Sequence, residues 1–257
     1  MLRIDFYYWG DQCPHNAINR DKLKAIGKDK GYDILFHDIS RDFDLAGELN
    51  IYSPNLTVFN REFRWNGPVS LKAIEVFEKG SLPERAPYII DMSENIVKGD
   101  LKPLTEETVF DTYNRCAPSF AKQCCHSKAG WIREVREKND LKNLGFLHYL
   151  NGECVGGAEF VPSVIVPYPI PRDEGTAFLT CAFHSDPRVD YKSYPLEKLE
   201  EDLKVLGYKE LIAIASEEVV FPNGPLKWFL KQGYADLGQV CYEQTEEARM
   251  HLIKKQL

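Results

Sequence analysis

Residues 13–16 read Cys13-Pro14-His15-Asn16. They follow an apolar strand-like run and open a helical one, so the thiol stands at a helix N-terminus, where the macrodipole favours a thiolate. A protonated His15 would add to that effect. Such a thiol forms mixed disulfides and adducts, but a stable local disulfide needs a second cysteine where Asn16 stands. The expectation is an exposed Cys13 with no intrachain disulfide, serving either one-cysteine chemistry or a turn without a redox role. A second concentration, Cys116, Cys124, Cys125 and His126 in "RCAPSFAKQCCHS", lacks a Cys-x2-Cys knuckle. Its spacing is poor for structural zinc, and buried thiols of a helical region account for it better. No metal is expected.

The chain that positions these residues has 257 amino acids and a net charge of -7, from 32 Lys and Arg against 39 Asp and Glu. That balance argues against nucleic acid as a partner, which needs concentrated basic residues. No apolar run approaches the roughly 20 residues of a membrane span. The N-terminus lacks the basic, apolar and small-residue regions of a signal peptide. With seven cysteines, an odd number, these features set the expectation of a cytoplasmic protein.

Residues 1–82 alternate compactly. Leu2, Ile4, Phe6 and Tyr8 share one strand face. A helix follows from about Asn16 to Lys30. "YDILFHDI" is a strand, "FDLAGELN" a short helix, "LTVFN" and "EFRWN" a hairpin, and "SLKAIEVFEKG" a helix capped by Ser70. The order β-α-β-α-β-β-α, with a helical crossover between the first two strands, is that of a small thioredoxin-like fold. There, Pro54 stands where a cis-proline would flank the Cys13 turn, or is a trans loop proline. "GSLPERAP", 80–87, is a linker.

Residues 83–257 have a different pattern. Helices are expected around 105–114 and 128–139. Asn151-Gly152 suits a type I′ turn between two strands. "TAFLTCAF" is a central strand, "YPLEKLEEDLKVLG" an amphipathic helix, "ELIAIA" a strand, "GPLKWFLKQGY" a helix and "ADLGQVCYE" a final strand. The fold class expected is α/β (α+β), a thioredoxin-like domain followed by a second, larger domain.

The succession of hairpin, central strand, loop, helix, strand and "WFLKQGYADLG" resembles the GNAT superfamily of acyl-CoA-dependent N-acetyltransferases. "YYWGDQCP", "FNREF", "CCHSKAGWIREVREK" and "GAEFVPSVIVPYPI" resemble segments of its YoaP-like members, which pair the acyltransferase domain with a small domain. The resemblance implies acetyl-CoA as acyl donor and a small-molecule or protein amine as acceptor. It implies that Cys181, Ala182 and Phe183 hold the pantetheine arm, and that the loop with Arg188, Val189, Tyr191, Lys192, Ser193 and Tyr194 meets the pyrophosphate. It makes Glu159 the candidate base. Phe229 falls at the family's tyrosine position and has no proton to give, so Tyr234 is the nearest candidate acid. The alternative for Glu159 is a surface carboxylate at a strand edge, and for Tyr234 an aromatic packed after a helix stop.

The pyrophosphate loop departs from the family pattern. Val189 and Tyr191 stand where glycines would let a backbone approach phosphate. Pro195 removes an N–H near the helix start, and Asp186 and Asp190 oppose the charge of Arg188 and Lys192. The alternative to an enzyme is therefore a scaffold that binds another ligand or partner without catalysis. A third alternative is thiol chemistry centred on Cys13. The acidic "RDEG" turn, 172–175, either attracts a cationic acceptor or is a solvated turn.

Overall fold

The computed structural model describes residues 2–83, 93–113, 115, 123–217, 221–243, 245 and 247–257. Cys116, the side chain of Cys124 and residues 84–87 of the expected linker lie outside the described residues.

The first unit is built from β1 (Arg3–Tyr8), α1 (Pro14–Lys30), β2 (Asp33–Asp38), α2 (Phe43–Glu48), β3 (Asn55–Phe59), β4 (Phe63–Asn66) and α3 (Leu71–Glu78). Its four-stranded sheet has the order β2-β1-β3-β4, with β1 and β2 parallel. α1 provides the crossover such a pair requires. Ser70 caps α3 by accepting from the Ala73 N–H at 3.1 Å, as its position before the apolar stripe predicts. The Phe59 and Phe77 rings stack 4.0 Å apart in the core of this unit.

The second sheet has seven strands in the order β10-β11-β9-β8-β7-β6-β5. These are β5 (Asp100–Pro103), β6 (Gly145–Leu150), β7 (Glu153–Pro162), β8 (Thr176–His184), β9 (Glu210–Ser216), β10 (Ala235–Glu243) and β11 (Ala248–Gln256). The helices with it are α4 (Gln123–Lys138), α5 (Ser193–Val205) and α6 (Leu226–Lys231). Asn151 and Gly152 turn the β6–β7 hairpin with φ of 52° and 82°, the left-handed pair a type I′ turn requires.

Two sequence expectations change, and one strand is added. The helix expected at 105–114 is a short 3-10 turn, Thr108–Thr112. β5 is a four-residue edge strand ending on a proline, which an edge tolerates. β11, not β10, is the last strand, and it lies between β10 and β9. Its "ARMHLIKKQ" buries residues of both parities, so it lacks the alternation that marks a half-buried strand.

One face of this sheet packs on α5 and α6 through Phe160, Leu179, Leu199, Leu203, Trp228 and Phe229. The other face carries a core shared with the first unit: Trp9, Ile39, Ile51 and Leu56 join Ile132, Leu147, Tyr168, Ile212 and Met250. Trp9 is the hinge pin of that core, set edge-on to Trp131 at 5.9 Å and to Tyr168 at 5.3 Å. Arg64 on β4 adds a pair with the buried Glu243 of β10 at 2.7 Å.

A shared core predicts cooperative unfolding. Urea denaturation should show one transition by both tryptophan fluorescence and circular dichroism. Trp9→Ala should lower stability by about 3–5 kcal/mol, the cost of a large cavity. Two transitions, one of them unmoved by the substitution, would contradict a common core.

Candidate functional site

The site begins with an irregularity in β8. Glu159 on β7 faces Cys181, but its neighbour Phe160 faces Leu179, so Thr180 is an extra residue on β8. Such a bulge bends a strand and raises its twist. On its other side β8 runs parallel to β9 from Thr176–Glu210 to Leu179–Ala213, and the pairing stops there. Both strands continue, β8 to His184 and β9 to Ser216, so a gap opens between them.

Buried backbone groups facing that gap still need partners. Asn223, 2% exposed, supplies them. Its Oδ1 accepts from the Ala182 N–H at 3.1 Å, and its Nδ2 donates to the carbonyls of Ile214 at 3.1 Å and Leu179 at 3.4 Å. A side-chain carboxamide therefore bridges the two strands where a backbone amide would otherwise stand.

The segment leading into α5 is organised around Asp190, which is buried. Its Oδ1 accepts from the N–H groups of Lys192 at 3.0 Å and Ser193 at 2.9 Å. Its Oδ2 accepts from the Ser193 hydroxyl at 2.6 Å and the Trp228 indole at 3.2 Å. A helix N-terminus attracts an anion, and here the chain provides its own. Pro195 contributes no N–H. The Lys192 side chain runs inward. It is fully buried, donates to the Asn223 carbonyl at 2.6 Å and lies 4.2 Å from the Trp228 ring centroid. Burial lowers its pKa to about 8. Gly224, at φ +108°, leaves room for it: a Cβ there would stand 2.6 Å from Nζ. The loop is pressed onto β7 at Gly156, where a Cβ would meet the Tyr191 carbonyl oxygen at 2.5 Å.

On the opposite face of the sheet, Glu159 is the hub of a buried polar web. Lys128 on α4 pairs with Oε2 at 2.7 Å and donates to Oε1 at 2.8 Å. The Thr180 hydroxyl donates to Oε1 at 2.6 Å and the Gln12 amide at 3.1 Å. Lys128 also donates to the Gln12 carbonyl. Removing one partner of such a buried pair costs about 3–5 kcal/mol, because it strands the other charge. The web ties β7, β8 and α4 to the turn that carries Cys13.

Cys13 is half-buried and in the thiol form. Burial pushes it up to about 11, against the His15 N–H and Lys128, which lower it. Cys13 is therefore not exposed as expected, and burial acts against the helix terminus. His15 gives no cationic help: burial, with Lys22 behind it, lowers its pKa to about 4. Cys181 is pushed up to about 12 by burial, then by Glu159 and Cys13. Asn16 does structural work where a second cysteine would stand. Fully buried, it donates to the Trp9 and Gly10 carbonyls at 3.3 and 3.0 Å and accepts from Asn55 at 2.8 Å. Ser53–Pro54 is trans, since the cis bond among the described residues is Phe221–Pro222.

The residues singled out by sequence separate into groups. Cys181 sits opposite Glu159, while Ala182 and Phe183 continue β8 beside the gap. Glu159 is buried, not a surface carboxylate. Tyr234 is buried on the α5 side, where its hydroxyl donates to Glu200 at 3.0 Å; burial and that carboxylate raise it well above the ordinary phenol range. Its ring lies edge-on to the buried Phe229 at 5.1 Å. Glu159 and Tyr234 thus lie on opposite faces of the sheet and are not brought together. Arg188 is exposed and held by Asp186 at 2.5 Å, Val189 is half-buried, and Tyr194 lies edge-on to His148 at 5.4 Å. In the acidic turn, Asp173 and Arg172 are engaged with local backbone, Arg172 donating to the Val166, Pro167 and Tyr168 carbonyls. Asn223, Lys128, Gln12 and Thr180 were not anticipated.

No protein-family model matches the sequence, and no curated protein matches it either. In fold, the chain is similar to solved acetyltransferases. One is a ribosomal-protein-alanine N-acetyltransferase from Brucella melitensis, 16% identical at a TM-score of 0.46, with 62% of this chain and 100% of that one covered. Another is an N-acetyltransferase from Staphylococcus aureus Mu50, 17% identical at 0.44, covering 62% and 96%. A third is the PaiA N-acetyltransferase from Thermoplasma acidophilum in complex with coenzyme A, 14% identical at 0.40, covering 62% and 98%. At these values the likeness says nothing of activity or substrate.

The raised Cys13 thiol predicts low reactivity. Its shift from 9.0 to about 11 leaves about 100-fold less thiolate at pH 8 than an unperturbed cysteine has. Iodoacetamide labelling, read by peptide mass spectrometry, should be slower by a comparable factor and accelerate as pH rises toward 11. Labelling at or above the free-cysteine rate would show that the helix terminus prevails.

Proposed function

We propose that the chain is an acyl-CoA-dependent N-acyltransferase, transferring an acetyl group from acetyl-CoA to an amine of a small molecule or protein. The observation that carries this reading is the carboxamide of Asn223 in the gap between β8 and β9. A pantetheine arm is a short chain with two amides, and a gap that satisfies an amide's donor and acceptor is suited to it. The Leu179 carbonyl and Ala182 N–H are the groups that would hold it. The donor would supply an activated acyl carbonyl. The chain's part is to align it along β8 and keep water out, for which the apolar flank of Leu179, Ala182 and Trp228 is suited.

In this reading the acceptor approaches from the face of Glu159, beside the Cys13 turn. Glu159 receives the amine's proton, with Gln12 as its exchangeable partner. Tyr234 takes no part, being buried on the other face. Residues 83–257 form the acyltransferase domain. Residues 1–82 are a thioredoxin-like domain of the YoaP-like arrangement, supported by the β2-β1-β3-β4 order. The protein acts in the cytoplasm. No described helix is long and apolar enough to cross a membrane.

A second reading is favoured by Asp190. Its carboxylate stands at the helix terminus where a pyrophosphate would bind, and the residues there do not fit that group. A scaffold that has exchanged an external anion for an internal one would bind a different ligand without catalysis.

Calorimetric titration of the full chain with acetyl-CoA, followed by thiol-release assays against polyamines and N-terminal peptides, separates the two. The first reading predicts saturable binding and amine-dependent thiol release. No heat at millimolar acetyl-CoA would leave the second.

A further inference from the structure

Resting on the acyltransferase reading, we infer that this chain recognises its acyl donor through the pantetheine arm alone, and that the nucleotide end of CoA adds no affinity. The reason lies in how the two halves of the donor site are furnished. The strand gap offers an amide-matched pair, the Leu179 carbonyl and the Ala182 N–H, which the Asn223 carboxamide satisfies and a pantetheine amide would take in its place. The α5 terminus offers a phosphate almost nothing. The N–H groups of Lys192 and Ser193 and the hydroxyl of Ser193 already bind Asp190. Pro195 has no N–H, leaving that of Tyr194.

The charges point the same way. Lys192, the cation nearest the terminus in sequence, is turned away from solvent onto the Asn223 carbonyl and Trp228. Arg188 is held by both carboxylate oxygens of Asp186. Arg188 and Asp186 neutralise each other on the loop and Asp190 lies buried beneath it, so a diphosphate approaching α5 meets no unengaged cation of the loop. His184, at the end of β8, adds no positive charge at neutral pH, since burial and Lys192 lower it. Gly156 and the Tyr191 backbone are in contact, which holds the loop close on β7. The internal Asp190 carboxylate and spent donors cancel what a diphosphate would gain.

The test compares acetyl-CoA with S-acetylpantetheine, which has the same thioester and amides and no phosphate. Calorimetry on the full chain should give dissociation constants within about threefold of each other, little changed by raising the salt from about 50 to 500 mM. Acetyl-CoA binding about tenfold or more tightly, with the advantage lost in salt, would overturn the inference and leave the acyltransferase reading standing. Failure of both ligands to bind would overturn the two together. The Asp190→Asn variant removes the charge and keeps an acceptor for the helix amides. Acetyl-CoA should tighten by about fivefold or more while S-acetylpantetheine stays unchanged. An unchanged ratio would show that Asp190 is not what excludes the nucleotide.

Discussion

The parting of β8 from β9 after Leu179 and Ala213 is the constraint on which the site depends. Once the strands diverge, each has buried backbone groups with no ladder partner, and burial makes that costly, on the order of 1–3 kcal/mol per unsatisfied group. Asn223 satisfies three of them with one carboxamide. Its own carbonyl then needs a donor and takes Lys192. Lys192 is thereby drawn inward and leaves the loop surface. Asp190 holds the backbone N–H of that same lysine and caps α5. One divergence thus sets the position of three side chains, and the last of them caps the helix terminus.

The opposite face of the sheet follows from the same bulge. The extra residue Thr180 turns its hydroxyl onto Glu159, and Cys181 sits across from that residue. Glu159 is then buried among Lys128, Thr180 and Gln12, from α4, β8 and the Cys13 turn. The first unit is therefore fastened to the second sheet by a polar web as well as by the Trp9 core. Such buried ionic groups contribute little net stability against an apolar substitute, but they fix geometry, since any other arrangement strands a charge.

Much of the fold was legible in the sequence because its signals are local. Ser70 before an apolar stripe, Asn151-Gly152 between two strand patterns, and the leucine spacing of α5 each specify their element through short-range physics. β11 was missed because it is buried on both faces, so its residues do not alternate. The site was legible only in part. Val189, Tyr191 and Pro195 marked the loop as unlike a glycine-rich phosphate cradle, and Asp190, read from sequence only as an opposing charge, is the carboxylate that caps α5. Asn223 and Lys128 carry no local mark, because their partners are backbone groups and a carboxylate 9 to 116 residues away in sequence. Cys13 misled because position at a helix start was weighed without the desolvation that the shared core imposes.

The claim at the centre of this account is that the strand gap, and not the helix terminus, is the donor site. Backbone amide chemical shifts, followed by NMR as acetyl-CoA is added, test it most directly. The account predicts large shifts at Ala182 and its β9 neighbours, with the Lys192 and Ser193 amides unchanged because Asp190 still holds them. Large shifts at Lys192 and Ser193 with Ala182 unmoved would contradict it.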